Sequence, residues 1–130
     1  MNKIKKITKE IDMLWALIIK KRDKGICQWC KHDGKKRVGV NAHHIIPRAR
    51  GKATRWCISN GVYLCFYCHH RRLLEYPIDY TYFIEKFLKK QNVSYKDLKE
   101  QSKKTAKYNY EELLTIKNNL TYLFEGMNGK

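Results

Sequence analysis

Asn60-Gly61-Val62-Tyr63-Leu64-Cys65-Phe66-Tyr67-Cys68-His69-His70 compresses three structural signals into one short stretch. Val62-Tyr63-Leu64 suits a brief buried strand. Cys65 and Cys68 form a CxxC knuckle, and His69 stands directly after it, where a helix running from Cys68 to Leu74 is expected to begin and Pro77 must interrupt it. Upstream, Cys27-Gln28-Trp29-Cys30 repeats the knuckle spacing. Two CxxC turns aim four thiolates at one tetrahedral ion, so Cys27, Cys30, Cys65 and Cys68 are the expected ligands of a structural zinc. In a chain of 130 residues such an ion contributes directly to folding. Cys57 is left over and is expected to be a packed or exposed free thiol.

Between the knuckles lies Ala42-His43-His44-Ile45-Ile46-Pro47. Val38 to His43 suits a second short strand, because β-branched Val38 and Val40 lead into the histidines. Consecutive strand residues point to opposite sides, so His43 and His44 are not expected to bind the same ion. One can face a metal while the other faces a water nucleophile. His69, fixed beside a zinc-bound cysteine, would be a preorganised metal ligand. Residues 46 to 60 read as a basic loop containing Arg48, Arg50, Lys52 and Arg55.

The net charge is +16, from 28 Lys and Arg against 12 Asp and Glu. Between Lys20 and Arg72 there are fourteen basic residues against Asp23 and Asp33 alone, a local charge of +12. Charge of this size calls for a polyanionic partner, and nucleic acid is the expected one. Arg48, Arg50, Arg55, Arg71 and Arg72 are candidates for bidentate phosphate contacts. The longest apolar run, Met13 to Ile19, is far short of the roughly 20 residues of a membrane span, and no signal-peptide pattern is present. An intracellular, cytoplasmic location is therefore expected.

Outside the centre the reading is helical. Ile7, Ile11, Leu14, Trp15 and Ile18 recur at helical spacing over residues 7 to 22, with Gly25 as the stop. Pro77 opens another helix, with Tyr80, Phe83, Ile84, Phe87 and Leu88 as its apolar stripe, and Asn92 ends it. Residues 91 to 130 are expected to form a lysine-rich helical tail, distinct from residues 1 to 90. Its last helix is expected to start at Asn109, whose capping-box partner is Glu112.

The run AHHIIPRARG…TRWCISNGVYLCFYCHH resembles the HNH endonuclease family over residues 25 to 75. The wider pattern, with EYPIDY, is similar to phage recombination nucleases of the NinG type. The resemblance implies an α+β fold: a small zinc-stabilised ββα-metal core with an N-terminal helix and a C-terminal helical extension. It implies metal-dependent hydrolysis of DNA phosphodiester bonds, on branched or recombination intermediates in phage-infected or bacterial cells. Position by position, it makes His43 and His69 ligands of one catalytic divalent cation (Mg²⁺, Mn²⁺, Ni²⁺ or Zn²⁺) and His44 the general base. Asn60 would orient His44 through a hydrogen bond. Two positions depart from the pattern. Cys57 stands where relatives often carry an acidic residue, and Leu73 stands where a third ligand one turn after His69 would fall. The alternative of another class is a zinc-stabilised nucleic-acid-binding module without catalysis. DNA is the expected partner in either case, and the oligomeric state, monomer or dimer, is open.

Overall fold

A computed structural model describes residues 2–128. Helix α1 (Lys3–Arg22) starts where the Asn2 side chain accepts from the Lys5 N–H at 2.8 Å. It buries Ile7, Ile11, Trp15, Ile18 and Ile19 along one stripe. The helix begins four residues earlier than the apolar periodicity indicated, because the cap lies N-terminal to the first buried residue. Lys24 and Gly25 take positive φ values of 57° and 69°, and the Gly25 N–H returns to the Lys20 carbonyl at 2.9 Å. This turn delivers the chain to the first knuckle and to the short helix α2 (Gln28–His32).

The sheet has two antiparallel strands, β1 (Asn41–His44) and β2 (Gly61–Leu64). His44 pairs with Gly61, His43 with Val62, Ala42 with Tyr63 and Asn41 with Leu64. The first strand is shorter than Val38 to His43 suggested. Val38 and Val40 are exposed, and Val38 makes only an isolated bridge to Ile26. The residue register starts at Asn41, opposite Leu64 at the end of β2, with the Val40 N–H donating to the Leu64 carbonyl at 2.8 Å just before it.

Alternation divides the sheet between two cores. Ala42, His44, Gly61 and Tyr63 face α1. Val62 and Leu64, with His43, face the cysteine knuckles and helix α4 (Pro77–Lys90). The α1 side approaches closely: a Cβ on Gly61 would lie 2.5 Å from Ile19 Cδ1 and 2.7 Å from Trp15 Cζ2. Only glycine lets the strand lie against the helix there.

The loop from Ile45 to Asn60 carries two 3-10 turns, Lys52–Thr54 and Ile58–Asn60. After Cys65 the chain enters a π turn (Cys68–Arg72) that runs into α3 (Leu73–Glu75) and stops before Pro77. The expected two strands and following helix are present, with the four cysteines at their centre.

Residues 91 to 128 pack against both cores. Leu98 of α5 (Tyr95–Ser102) joins the knuckle core, and Leu113 and Leu120 of α6 (Tyr110–Asn128) join Ile7, Ile11 and Trp15 of α1. Burying each such leucine contributes about 1.5–3 kcal/mol. The capping box forms as expected: the Asn109 N–H donates to Glu112 Oε1 at 3.0 Å, and the Glu112 N–H donates to Asn109 Oδ1 at 2.8 Å. The end of the expected tail, residues 129 and 130, lies outside the described residues. No helix among the described residues is long and apolar enough to cross a membrane.

Candidate active site and metal centre

The two knuckles bring Cys27, Cys30, Cys65 and Cys68 together, with ligand atoms all within 4.8 Å of one another. Cys30 Sγ lies 3.9 Å from Cys65 Sγ and 3.7 Å from Cys68 Sγ. A tetrahedron with Zn–S bonds of about 2.3 Å has edges of about 3.8 Å, so the donor set fits zinc. All four thiols are buried and unbridged. Burial and the neighbouring Cys27 thiol push Cys30 up to about 11, and burial raises Cys68 further. Burial also opposes ionisation of Cys65, but the Cys68 N–H, donating to its sulfur at 3.5 Å, helps hold that thiol below its usual range. Four thiols in so little space ionise together only around a cation. The cluster suits a structural zinc ion.

His43 points to the knuckle side of the sheet. Its Nδ1 lies 3.2 Å from His69 Nδ1, and its Nε2 lies 2.7 Å from the Tyr80 hydroxyl. With the proton on Nε2 donated to the Tyr80 oxygen, Nδ1 keeps its lone pair and faces His69. Two imidazole nitrogens bound to one ion at about 2.1 Å stand roughly 3.0–3.4 Å apart, so this pair matches the bite of a divalent cation. His69 is anchored by its own N–H to the Cys65 carbonyl at 3.0 Å. Burial lowers its pKa, with His70 adding to the effect. Leu73, the departure noted in the sequence, packs partly buried against the knuckle core and offers no donor atom.

Burial takes His43 from its ordinary 6.5 to about 3, with His69 and His44 as lesser causes. The unfolded chain would take up that proton near 6.5, whereas the folded chain resists it until about 3. The contribution of His43 to stability, with its candidate metal position empty, should therefore be fully present above 6.5 and fall as the pH drops below it. At about 1.4 kcal/mol per unit, the loss by about pH 5 is roughly 2 kcal/mol. Thermal melting between these pH values should show this slope in the zinc-loaded protein and a shallower one in His43→Ala.

His44 points to the other side. Its Nε2–H donates to the Arg55 carbonyl at 3.0 Å, leaving the lone pair on Nδ1. Its ring stacks on Trp15 with centroids 4.0 Å apart and planes 12° from parallel. Trp15 is fixed by donating its Nε1–H to the Cys57 carbonyl at 2.9 Å. Burial lowers the His44 pKa, so the neutral imidazole is the resting form at neutral pH.

Asn60 does not make the expected bond to His44. It is fully buried; its Oδ1 accepts from the Ile46 N–H at 2.7 Å, and its Nδ2 donates to the Ile46 and Thr54 carbonyls, both at 3.1 Å. A buried amide must satisfy both ends, and the loop backbone supplies those partners. The His44 Nε2–H is already taken by Arg55. Asn60 thus staples the loop that carries the Arg55 carbonyl.

The five arginines differ. Arg55 donates Nε and Nη2 to Asp12 at 3.0 and 2.6 Å, and Arg48 reaches the same carboxylate at 3.3 Å. Arg72 pairs with Asp33 and lies over Trp29 at 4.0 Å. Arg71 is exposed and 3.5 Å from Glu75, and Arg50 is exposed with no ion pair among the described residues. Arg50 and Arg71 are therefore the more available to a phosphate. Cys57 is a half-buried thiol whose sulfur lies 3.8 Å from the Ala53 carbonyl oxygen. His70 and His32 are exposed. Trp56 buttresses the loop by donating to Asp12, whereas Trp29 is buried in the core, away from any stacking role on nucleic acid.

Sequence reasoning missed Tyr80, Asp12 and the Arg55 carbonyl. Tyr80 sat in the apolar stripe of α4 and Asp12 among the polar residues of α1, with no spacing rule to join either to the histidines. A backbone carbonyl carries no sequence signal at all.

Residues 27–72 match the family model described as HNH endonuclease. No curated protein and no solved structure matches the chain. The family match covers the knuckles, both strands and the histidines, and it supports HNH nuclease chemistry for this part of the chain.

Proposed function

We propose that this protein is a metal-dependent endonuclease that hydrolyses DNA phosphodiester bonds, with branched or recombination intermediates as its substrates. The observation that carries this reading is the division of two neutral imidazoles across one strand. The His43 Nδ1 lone pair meets His69 Nδ1 at 3.2 Å, while His44 is held by the Arg55 carbonyl through Nε2, with no hydrogen-bond partner on its Nδ1 among the described residues.

His44 Nδ1 takes a proton from water as the water oxygen attacks phosphorus. The new P–O bond forms as the bond to the 3′-oxygen breaks, and the 3′-oxyanion takes a proton from solvent water, leaving 5′-phosphate and 3′-hydroxyl ends; His44 later releases its proton to solvent. His43 and His69 would hold a divalent ion, which when bound would supply Lewis-acid neutralisation of a non-bridging oxygen and of the departing oxyanion. Leu73, in the third ligand position, has no donor atom, so His43 and His69 are the residues that would hold the ion. Tyr80 holds the His43 tautomer; burial keeps its hydroxyl protonated and well above its usual range. The net charge of +16, with Arg50 and Arg71 exposed, favours the phosphate backbone and predicts a steep fall of affinity with salt.

Supercoiled plasmid incubated with zinc-loaded protein tests the reading. Addition of Mg²⁺, Mn²⁺ or Ni²⁺ should produce nicks that DNA ligase reseals, and protein without added divalent ion should produce few. Equal nicking with and without every ion, by protein that metal analysis shows to hold one zinc per chain, would remove the histidine-bound cation from the mechanism. No nicking under any condition would favour the binding-module alternative. A matched panel of duplex, flap and four-way-junction DNA then ranks the substrates.

A further inference from the structure

Helix α1 precedes residues 27–72, the part that matches the family model, yet it reaches the heart of the candidate site. One carboxylate does most of this. Asp12 Oδ1 accepts from Arg55 Nε at 3.0 Å and from Trp56 Nε1 at 2.7 Å, and its Oδ2 accepts from Arg55 Nη2 at 2.6 Å and Arg48 Nη1 at 3.3 Å. Arg55 and Trp56 are consecutive, and the carbonyl that accepts from His44 belongs to the peptide bond between them. Both side chains flanking that peptide are therefore tied to one anion.

We propose that Asp12 is a positioning residue for His44: by holding Arg55 and Trp56 together it fixes the peptide plane whose carbonyl orients the imidazole and keeps its proton on Nε2. A guanidinium gripped through two nitrogens cannot rotate freely, and the indole N–H bond removes the remaining freedom at the next residue. Asn60 anchors the same loop from within, through the Thr54 carbonyl. Asp12 anchors it from α1. The inference rests on the proposed general-base role of His44; misplacing a catalytic group by about 1 Å can cost roughly 100-fold in rate.

The test compares wild type with Asp12→Asn, Asp12→Ala and Asp12→Glu in plasmid nicking at saturating divalent ion, together with the ¹⁵N-detected imidazole resonances of His44. Asp12→Asn and Asp12→Ala should lower kcat about 10–100-fold with KM within about twofold, while Asp12→Glu retains most of the rate. The His44 Nε2–H resonance, protected from solvent exchange in wild type and Asp12→Glu, should broaden in Asp12→Asn. Adding Arg55→Ala to Asp12→Asn should cost little further kcat, because both changes cut the same link. An effect confined to KM would overturn the proposal, since it would mean that Asp12 only competes with phosphate for Arg48 and Arg55. An unchanged His44 resonance in Asp12→Asn would overturn it as well. A wild-type protein that does not nick would sink the nuclease reading instead, and the His44 resonance would still decide whether the clamp exists.

Discussion

Replacing His44 with alanine is expected to lower the single-turnover rate of DNA nicking by about 10²–10⁴-fold, the span of a lost general base. Binding should barely change, because a neutral imidazole contributes little to phosphate affinity. Burial keeps His44 neutral, and its Nε2–H is committed to the Arg55 carbonyl, so only Nδ1 can accept a proton. No neighbour can substitute: the His43 and His69 Nδ1 atoms are turned toward each other, 3.2 Å apart. Trp15 would lose its stacking partner, but half-buried His44 is not a central core residue, so the fold should survive. Nicking rates with fluorescence anisotropy on the same DNA would separate rate from affinity. A His44→Ala protein that nicks as fast as wild type would refute the base assignment. Residual nicking dependent on divalent ion, far below wild type, would agree with it.

Cys65→Ser should unfold the centre of the protein. Structural zinc sites in small domains carry an apparent binding free energy of roughly 10–16 kcal/mol near neutral pH. Whole domains of this size are stable by only about 5–15 kcal/mol. The four cysteines do not sit on a peripheral loop; they pack with Trp29, Val62, Leu64 and Leu88. Losing one thiolate would leave three sulfurs facing an incomplete shell and would release the turn that aims His69. Metal analysis should show loss of zinc, and thermal melting should show a broad, early transition. Cys57→Ser is the internal control: its thiol is half-buried and outside the cluster, so zinc content should hold and stability should change by less than about 1 kcal/mol. Full zinc content and unaltered melting in Cys65→Ser would contradict the four-cysteine centre.

Much of the architecture was legible because it is local. The CxxC spacing, the apolar stripe of α1, Pro77 at the start of α4 and the Asn109–Glu112 box each depend on residues a few positions apart. Strand β1 was less legible. The β-branched valines that signalled it lie exposed before the paired segment, since a strand ends where its partner ends. The role expected of Asn60 went astray for a similar reason. Proximity to the histidines was readable, but the partners of a buried amide are set by whichever backbone groups surround it.

By itself, the sequence determined the chemistry available to this protein: four thiols for one ion, three histidines beside them, and a basic surface around both. It also determined that His43 and His44 must diverge, because alternation along a strand is a local property of the backbone. Only the tertiary structure decided which of them faces which core. That choice follows from the register His44↔Gly61 and from α1 lying against the glycine. Packing of α1 likewise brought Trp15 onto the His44 ring and Asp12 onto Arg55 and Trp56. These contacts join residues about thirty to forty-five positions apart. Such pairings arise from burial and hydrogen-bond satisfaction across the whole fold, and no spacing within the chain encodes them.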